Sequence, residues 1–117
     1  MTELETADDV TVVTARPAPK GKEKPPPTQP PYAVIVENDD LHTFEYVIVG
    51  LQKVCGYSRQ KAFLLAVEID SCGKAIVWSG TKELAELKCE QIRGLGPDFF
   101  APKPVTFPLG AFIEPLP

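Results

Sequence analysis

Apolar and polar positions change their spacing several times along the chain, and each change predicts an element. The run "YAVIVEN", from Tyr32, is β-branched and mostly apolar, which predicts a strand. From Phe44 the apolar residues recur at helical spacing, with Phe44, Val47, Ile48, Leu51 and Val54 forming one stripe. Gly56 predicts the end of that helix. Ser58 suits the N-cap of a second helix, in which Ala62, Leu65, Ala66 and Ile69 share a face. "DSCG", from Asp70, breaks the period, and "KAIVWSG", from Lys74, predicts a second strand. Thr81 is the candidate N-cap of a third helix, whose apolar positions are Leu84, Leu87, Cys89, Ile92 and Leu95. Gly94, Gly96 and Pro97 stop it. Prolines punctuate the remainder, "DFFAPKPVTFPLGAFIEPLP", in which "GAFIEP" is the best short strand. The order is strand, helix, helix, strand, helix, strand. Consecutive helices and short connections do not suit a regular parallel sheet. The pattern predicts a small α+β domain with a mainly antiparallel sheet carrying helices on one face.

The segment before Tyr32 differs in kind. "ARPAPKGKEKPPPTQPP" is rich in Pro and Lys and has no aromatic residue. Such composition buries too little apolar surface to offset ordering entropy, and its prolines favour extended backbone. The expected division is a disordered Pro-rich extension over residues 1–31 and a folded domain over residues 32–117. At 117 residues the chain suits a single core. A net charge of -4 does not suit a protein built to neutralise phosphates, and the folded part has no basic patch interleaved with aromatics, so no nucleic-acid partner is expected. No apolar run reaches the roughly 18 residues that would span a bilayer. The start, "MTELETADDV", lacks the apolar core of a secretory signal. Cys55, Cys72 and Cys89 are too far apart for a zinc pair and read as reduced thiols, so a cytoplasmic protein is expected.

Little catalytic chemistry is available. His42 is the single histidine, at a helix start, where an imidazole is more often a surface or capping residue than a base. Asp39, Asp40 and His42 lack an evident fourth metal ligand. Gly73 and Gly80 are isolated, so no glycine loop cradles a phosphate. The residues point to a binding module, not an enzyme, with no cofactor and no metal.

The stretch from Pro30 to Lys88, about half the chain, resembles ClpS, the adaptor family that delivers N-degron substrates to Clp AAA+ proteases. The resemblance rests on "NDD" after the first strand, "EYVIVGLQKV" beyond it, "GKAIV" after the second helix and "TKELAELK" in the third. It implies a ClpS-like α+β fold: a three-stranded antiparallel sheet with three helices, preceded by a disordered extension that engages the unfoldase. It also implies a site for the free α-amino group of a substrate. An α-ammonium has three donors and a pKa of about 7.7–8, so carboxylate and amide oxygens suit it. Asn38 and Asp40 are the matching positions. Asp39 alternates away in an extended segment and is left out of the site. The family's third amine-contacting residue is a histidine, and Asp70 stands in its place here. Aspartate still accepts from an ammonium, so amine capture would persist in a more electrostatic form.

The resemblance further implies a pocket for the substrate's first side chain, typically Phe, Leu, Trp or Tyr, at Leu41, Thr43, Phe44, Val47, Ala66 and Ile69. Phe44 and Ala66 stand where the family often has methionines. Val47, Ala66 and Ile69 lie on helical stripes and serve core packing as well. Glu83 and Lys88 match the surface that contacts the N-terminal domain of a ClpA- or ClpC-like ATPase. The expected function is therefore a non-enzymatic, monomeric adaptor. The alternative is a ClpS-like regulator of the unfoldase that no longer reads N-degrons. An Asp/His hydrolase or metal enzyme is the distant one.

Overall fold

The structure is a computed structural model describing residues 29–117; the expectation for the Pro-rich extension falls mainly on residues 1–28, outside the described residues. Strand β1 spans Tyr32–Glu37, helix α1 Phe44–Cys55, helix α2 Arg59–Cys72, strand β2 Lys74–Gly80, helix α3 Lys82–Arg93 and strand β3 Ala111–Pro115. The three strands form one antiparallel sheet in the order β2-β1-β3. β1 is thus the central strand. Its register shifts against β2 between Val34 and Ile35. β1 is buried throughout its middle, Ala33 to Val36, because β2 and β3 cover its edges while helices cover one face. Full burial of a Val or Ile side chain contributes about 1.5–3 kcal/mol, so Val34, Val36 and Ile92 anchor the core.

The helix ends follow local chemistry. Thr43, Ser58 and Thr81 cap α1, α2 and α3, each with its hydroxyl accepting from a backbone amide three residues on. Gly56 and Gly73 end α1 and α2 in the left-handed conformation, φ 72° and 88°, where a Cβ is disfavoured. One expectation for α3 shifts. Ala85, Cys89 and Ile92 form its buried side, whereas Leu84 and Leu87 are exposed. Both faces of α3 carry apolar residues, so the sequence pattern alone does not say which one the sheet selects. The three cysteines are free thiols on three different helices. No helix among the described residues is long and apolar enough to cross a membrane.

The segment after α3 is tied down, although its sequence predicts only one short strand. Asp98 and Val105 pair their backbones antiparallel, at 2.8 and 3.2 Å. Val105 and Leu109 are buried, and Gly110 then accepts from the Glu37 amide as the chain enters β3.

Gly56→Ala should destabilise the fold by about 1–2 kcal/mol through its left-handed backbone alone, since nothing lies within 4 Å of the added Cβ. Urea denaturation should show a lower midpoint with an unchanged slope.

Candidate functional site

Six residues, Asn38 to Thr43, join β1 to α1. Asp40 adopts the left-handed backbone, φ 67°, which Asp tolerates better than most residues. Asn38 Nδ2 donates to Asp40 Oδ1 at 2.9 Å, and the Asp40 amide lies 3.4 Å from Asn38 Oδ1. Each of these side chains keeps further hydrogen-bonding capacity: a second N–H on Asn38 and a second carboxylate oxygen on Asp40.

Asp39 has a different task. Its Oδ1 accepts from the amides of Leu41 and His42 at 2.9 and 2.8 Å, and its Oδ2 meets His42 Nδ1 at 2.5 Å. Burial pushes the Asp39 carboxyl up, but the His42 and Leu41 amides and the His42 ring outweigh it, holding the group below its ordinary value. The His42 side chain is only 1% exposed, which corrects the expectation of a surface or capping residue. The other ring nitrogen, Nε2, lies 3.1 Å from the Phe107 carbonyl, and a carbonyl only accepts, so Nε2–H donates. Tyr46 stacks on the same ring, with centroids 4.9 Å apart. The Tyr46 phenol is pushed up by burial and by the nearby Asp98 and Asp39 carboxylates, and donates to the Gly96 carbonyl at 2.5 Å.

Thr43 closes the loop. Besides capping α1, it directs its amide at Asp98 Oδ2, 2.7 Å, and its hydroxyl at the same oxygen, 3.1 Å. Asp98 is fully buried, and its other oxygen accepts from the Phe100 amide at 2.9 Å. Nothing in the sequence reading singled out Asp98. The one signal was a lone acid directly before two phenylalanines, an apolar setting in which a carboxylate needs designated donors.

Between this loop, the first turn of α1 and the last part of α2 lies a cavity of about 300 Å³. It is lined by Asn38, Asp40, Leu41, His42, Thr43, Phe44, Val47, Ala66, Ile69 and Asp70. All nine residues expected for amine and side-chain binding are therefore brought together, with His42 as the tenth. The contact that unites the two halves is backbone: the Asn38 amide donates to the Gly73 carbonyl at 2.9 Å. It sets the end of β1 against the end of α2, whose last turn carries Asp70. Val47, Ala66 and Ile69 are buried, while Asp40, Asp70, Leu41 and Phe44 are exposed. The cavity thus has an apolar floor and an acidic, partly apolar mouth.

This arrangement suits a cation with an apolar appendage. No Ser or Cys lines the cavity, the Thr43 hydroxyl is engaged by Asp98, and both His42 nitrogens have partners. Among the described residues no three His, Cys, Asp or Glu side chains group as metal ligands.

Glu83 and Lys88 lie elsewhere, on α3. Glu83 is exposed and borders an open groove of about 790 Å³ with Pro30, Pro31, Lys82 and Glu86. That groove is larger than the acidic cavity, but Lys82 offsets its carboxylates and it has no apolar floor of buried side chains. Lys88 is half-buried, and its ammonium donates to the Val54 carbonyl at 2.7 Å, keeping two further protons to offer.

Residues 27–97 match the family model for the ATP-dependent Clp protease adaptor protein ClpS. A Clp protease adapter protein ClpS from Nostoc sp. is 43% identical over 70 residues, covering 59% of this chain and 72% of that protein. The one from Thermosynechococcus vestitus is 41% identical over 68 residues, covering 57% and 72%. The one from Mycolicibacterium paratuberculosis is 31% identical over 85 residues, covering 70% and 81%. Among solved structures, Agrobacterium tumefaciens ClpS2 bound to L-phenylalaninamide superposes with a TM-score of 0.65 at 28% identity, covering 76% of this chain and all of that one.

The lowered Asp39 carboxyl fixes a sign for acid stability. Its contribution is fully present above its ordinary value of 3.8 and is lost as pH falls through the lower folded value. Denaturant melts in this acid range should show stability falling, and Asp39→Asn should remove part of that dependence while lowering stability at neutral pH.

Proposed function

The chain belongs to the ClpS family of ATP-dependent Clp protease adaptor proteins, and we propose that it binds substrates by a free N-terminal residue with a bulky apolar side chain. In this reading Asn38, Asp40 and Asp70 accept from the α-ammonium, and Leu41, Thr43, Phe44, Val47, Ala66 and Ile69 receive the side chain. The observation that carries it is the cavity itself, with acceptors at its mouth and an apolar floor in one enclosure. L-phenylalaninamide, the ligand of the Agrobacterium neighbour, has the matching chemistry: a free α-amine, an aromatic side chain and an amide carbonyl. Asn38 suits such a ligand twice, since its oxygen accepts from the ammonium while its spare N–H donates to the carbonyl.

Asp70 makes capture more electrostatic than a histidine would. Two carboxylates and an amide oxygen match the three donors of an ammonium, and charge-assisted bonds are the stronger kind. Both carboxylates are exposed, so salt screens them and affinity falls as ionic strength rises. Acetylating the amine removes the charge and most of the donors, so an acetylated peptide loses these bonds.

Delivery completes the reading. Glu83 and Lys88 would dock on the N-terminal domain of a ClpA- or ClpC-like ATPase, while residues 32–117 act as the adaptor domain and the Pro-rich residues 1–31 engage the unfoldase. No bond is made or broken by the adaptor. The rival reading, a regulator that docks the unfoldase without reading N-degrons, draws support from the Asn38–Asp40 pairing, which already uses part of the acceptor capacity.

Fluorescence anisotropy with peptides beginning in Leu, Phe, Trp or Tyr should show binding that is lost on acetylation and is weak for a Met start. Equal affinity for free and acetylated amines would leave the regulator reading in its place. Asp40→Ala and Asp70→Ala should each weaken binding roughly 10- to 100-fold, the equivalent of one charged hydrogen bond. Glu83→Lys should leave peptide binding intact and weaken pull-down of the ATPase N-terminal domain.

A further inference from the structure

We propose that the segment Asp98–Leu109 is a brace that holds the loop Asn38–Thr43 in its site-forming geometry, with Asp98 as the positioning residue. The inference deepens the amine-binding reading and rests on it for its functional consequence. It also concerns residues beyond the family match, which stops at residue 97.

Three observations carry it. Asp98 is fully buried, yet its carboxylate is directed at the cavity wall: one oxygen takes both the amide and the hydroxyl of Thr43. The far end of the segment reaches the same loop, as the Phe107 carbonyl accepts from His42 Nε2 while the Phe107 ring meets the imidazole edge-on at 5.0 Å. Both contacted loop residues, His42 and Thr43, line the cavity. The segment is in turn fixed by the Asp98–Val105 backbone pair, by buried Val105 and Leu109, and by Gly110 accepting from Glu37.

The loop needs such support. Asp40 sits in a sparsely populated backbone region that persists only where the surroundings over-determine it. Asp39 secures Leu41 and His42 from within the loop. Asp98 secures Thr43 from outside, and the loop is only six residues long, so a displaced Thr43 moves Asp40 with it. A ligand that must be met by several acceptors at once loses affinity when any one of them shifts.

Asp98→Ala tests this in the full chain. Alanine removes both carboxylate oxygens, so the Thr43 and Phe100 amides each lose their acceptor. The expected results are faster hydrogen exchange at the Thr43 amide, about tenfold weaker binding of a Phe-started peptide, and a reduced preference for the free over the acetylated amine. Gly56→Ala, remote from the cavity, serves as the control for stability loss: it should lower stability while keeping peptide affinity at the wild-type value. Where Asp98→Ala fails to fold, Asp98→Glu gives the same readouts by keeping the charge and moving the carboxylate by one methylene. Unchanged protection at Thr43 overturns the brace, and so does faster exchange accompanied by wild-type affinity and preference. If the wild-type protein ignores acetylation, the amine reading falls, and the brace is then decided by exchange alone: acceleration at Thr43 supports it and unchanged protection removes it.

Discussion

Strand β1 has a partner on each edge and helices against one face, so its backbone and most of its side chains are committed to the interior. Everything else in the domain is arranged around the point where that strand stops. Its last residue, Glu37, is met from one side by Lys74 and from the other by the Gly110 carbonyl. One residue later the Asn38 amide is taken by Gly73, the cap of α2. These contacts bring three chain ends to one place: the exit of β1, the end of α2 and the approach to β3. The cavity lies beside this junction, lined by the exit of β1, the first turn of α1 and the end of α2.

Four aspartates near this junction are sorted by their surroundings. Asp98 is buried and receives two amides and a hydroxyl. Asp39 is partly buried and receives two amides and an imidazole. A buried carboxylate without such donors would be strongly destabilising, so these two act as structural acceptors. Asp40 and Asp70 are exposed and have oxygen atoms to spare. The same side chain is thus a frame element in two positions and, in the proposed site, a ligand acceptor in two others, and burial makes the difference.

Much of the fold was legible along the chain. The element order, the caps Ser58 and Thr81, and the stop at Gly56 follow from side-chain chemistry acting within a few residues, which the sequence displays directly. The residues singled out through the resemblance, Asn38, Asp40 and Asp70 with Val47, Ala66 and Ile69, lie around one cavity. What it did not supply was the loop's support. His42 was expected at the surface or as a cap because it stands at a helix start; its side chain is buried by Tyr46 and by Phe107, 65 residues away. Leu84 and Leu87 looked equivalent to Ile92, and the sheet covered only the last.

The sequence by itself determined the order and approximate extent of strands and helices, and which side chains are chemically fit to accept from an ammonium, because periodicity, capping and donor–acceptor inventory are local properties. Only the tertiary structure decided which acceptors face a common space and which are consumed in holding the loop. Asp98 and Thr43 are 55 positions apart, and their 2.7 Å contact depends on a Pro-rich segment whose path has no period to read. Contacts of that kind arise when packing brings an otherwise unsatisfied buried group against the nearest donor, a choice made in three dimensions and written nowhere along the chain.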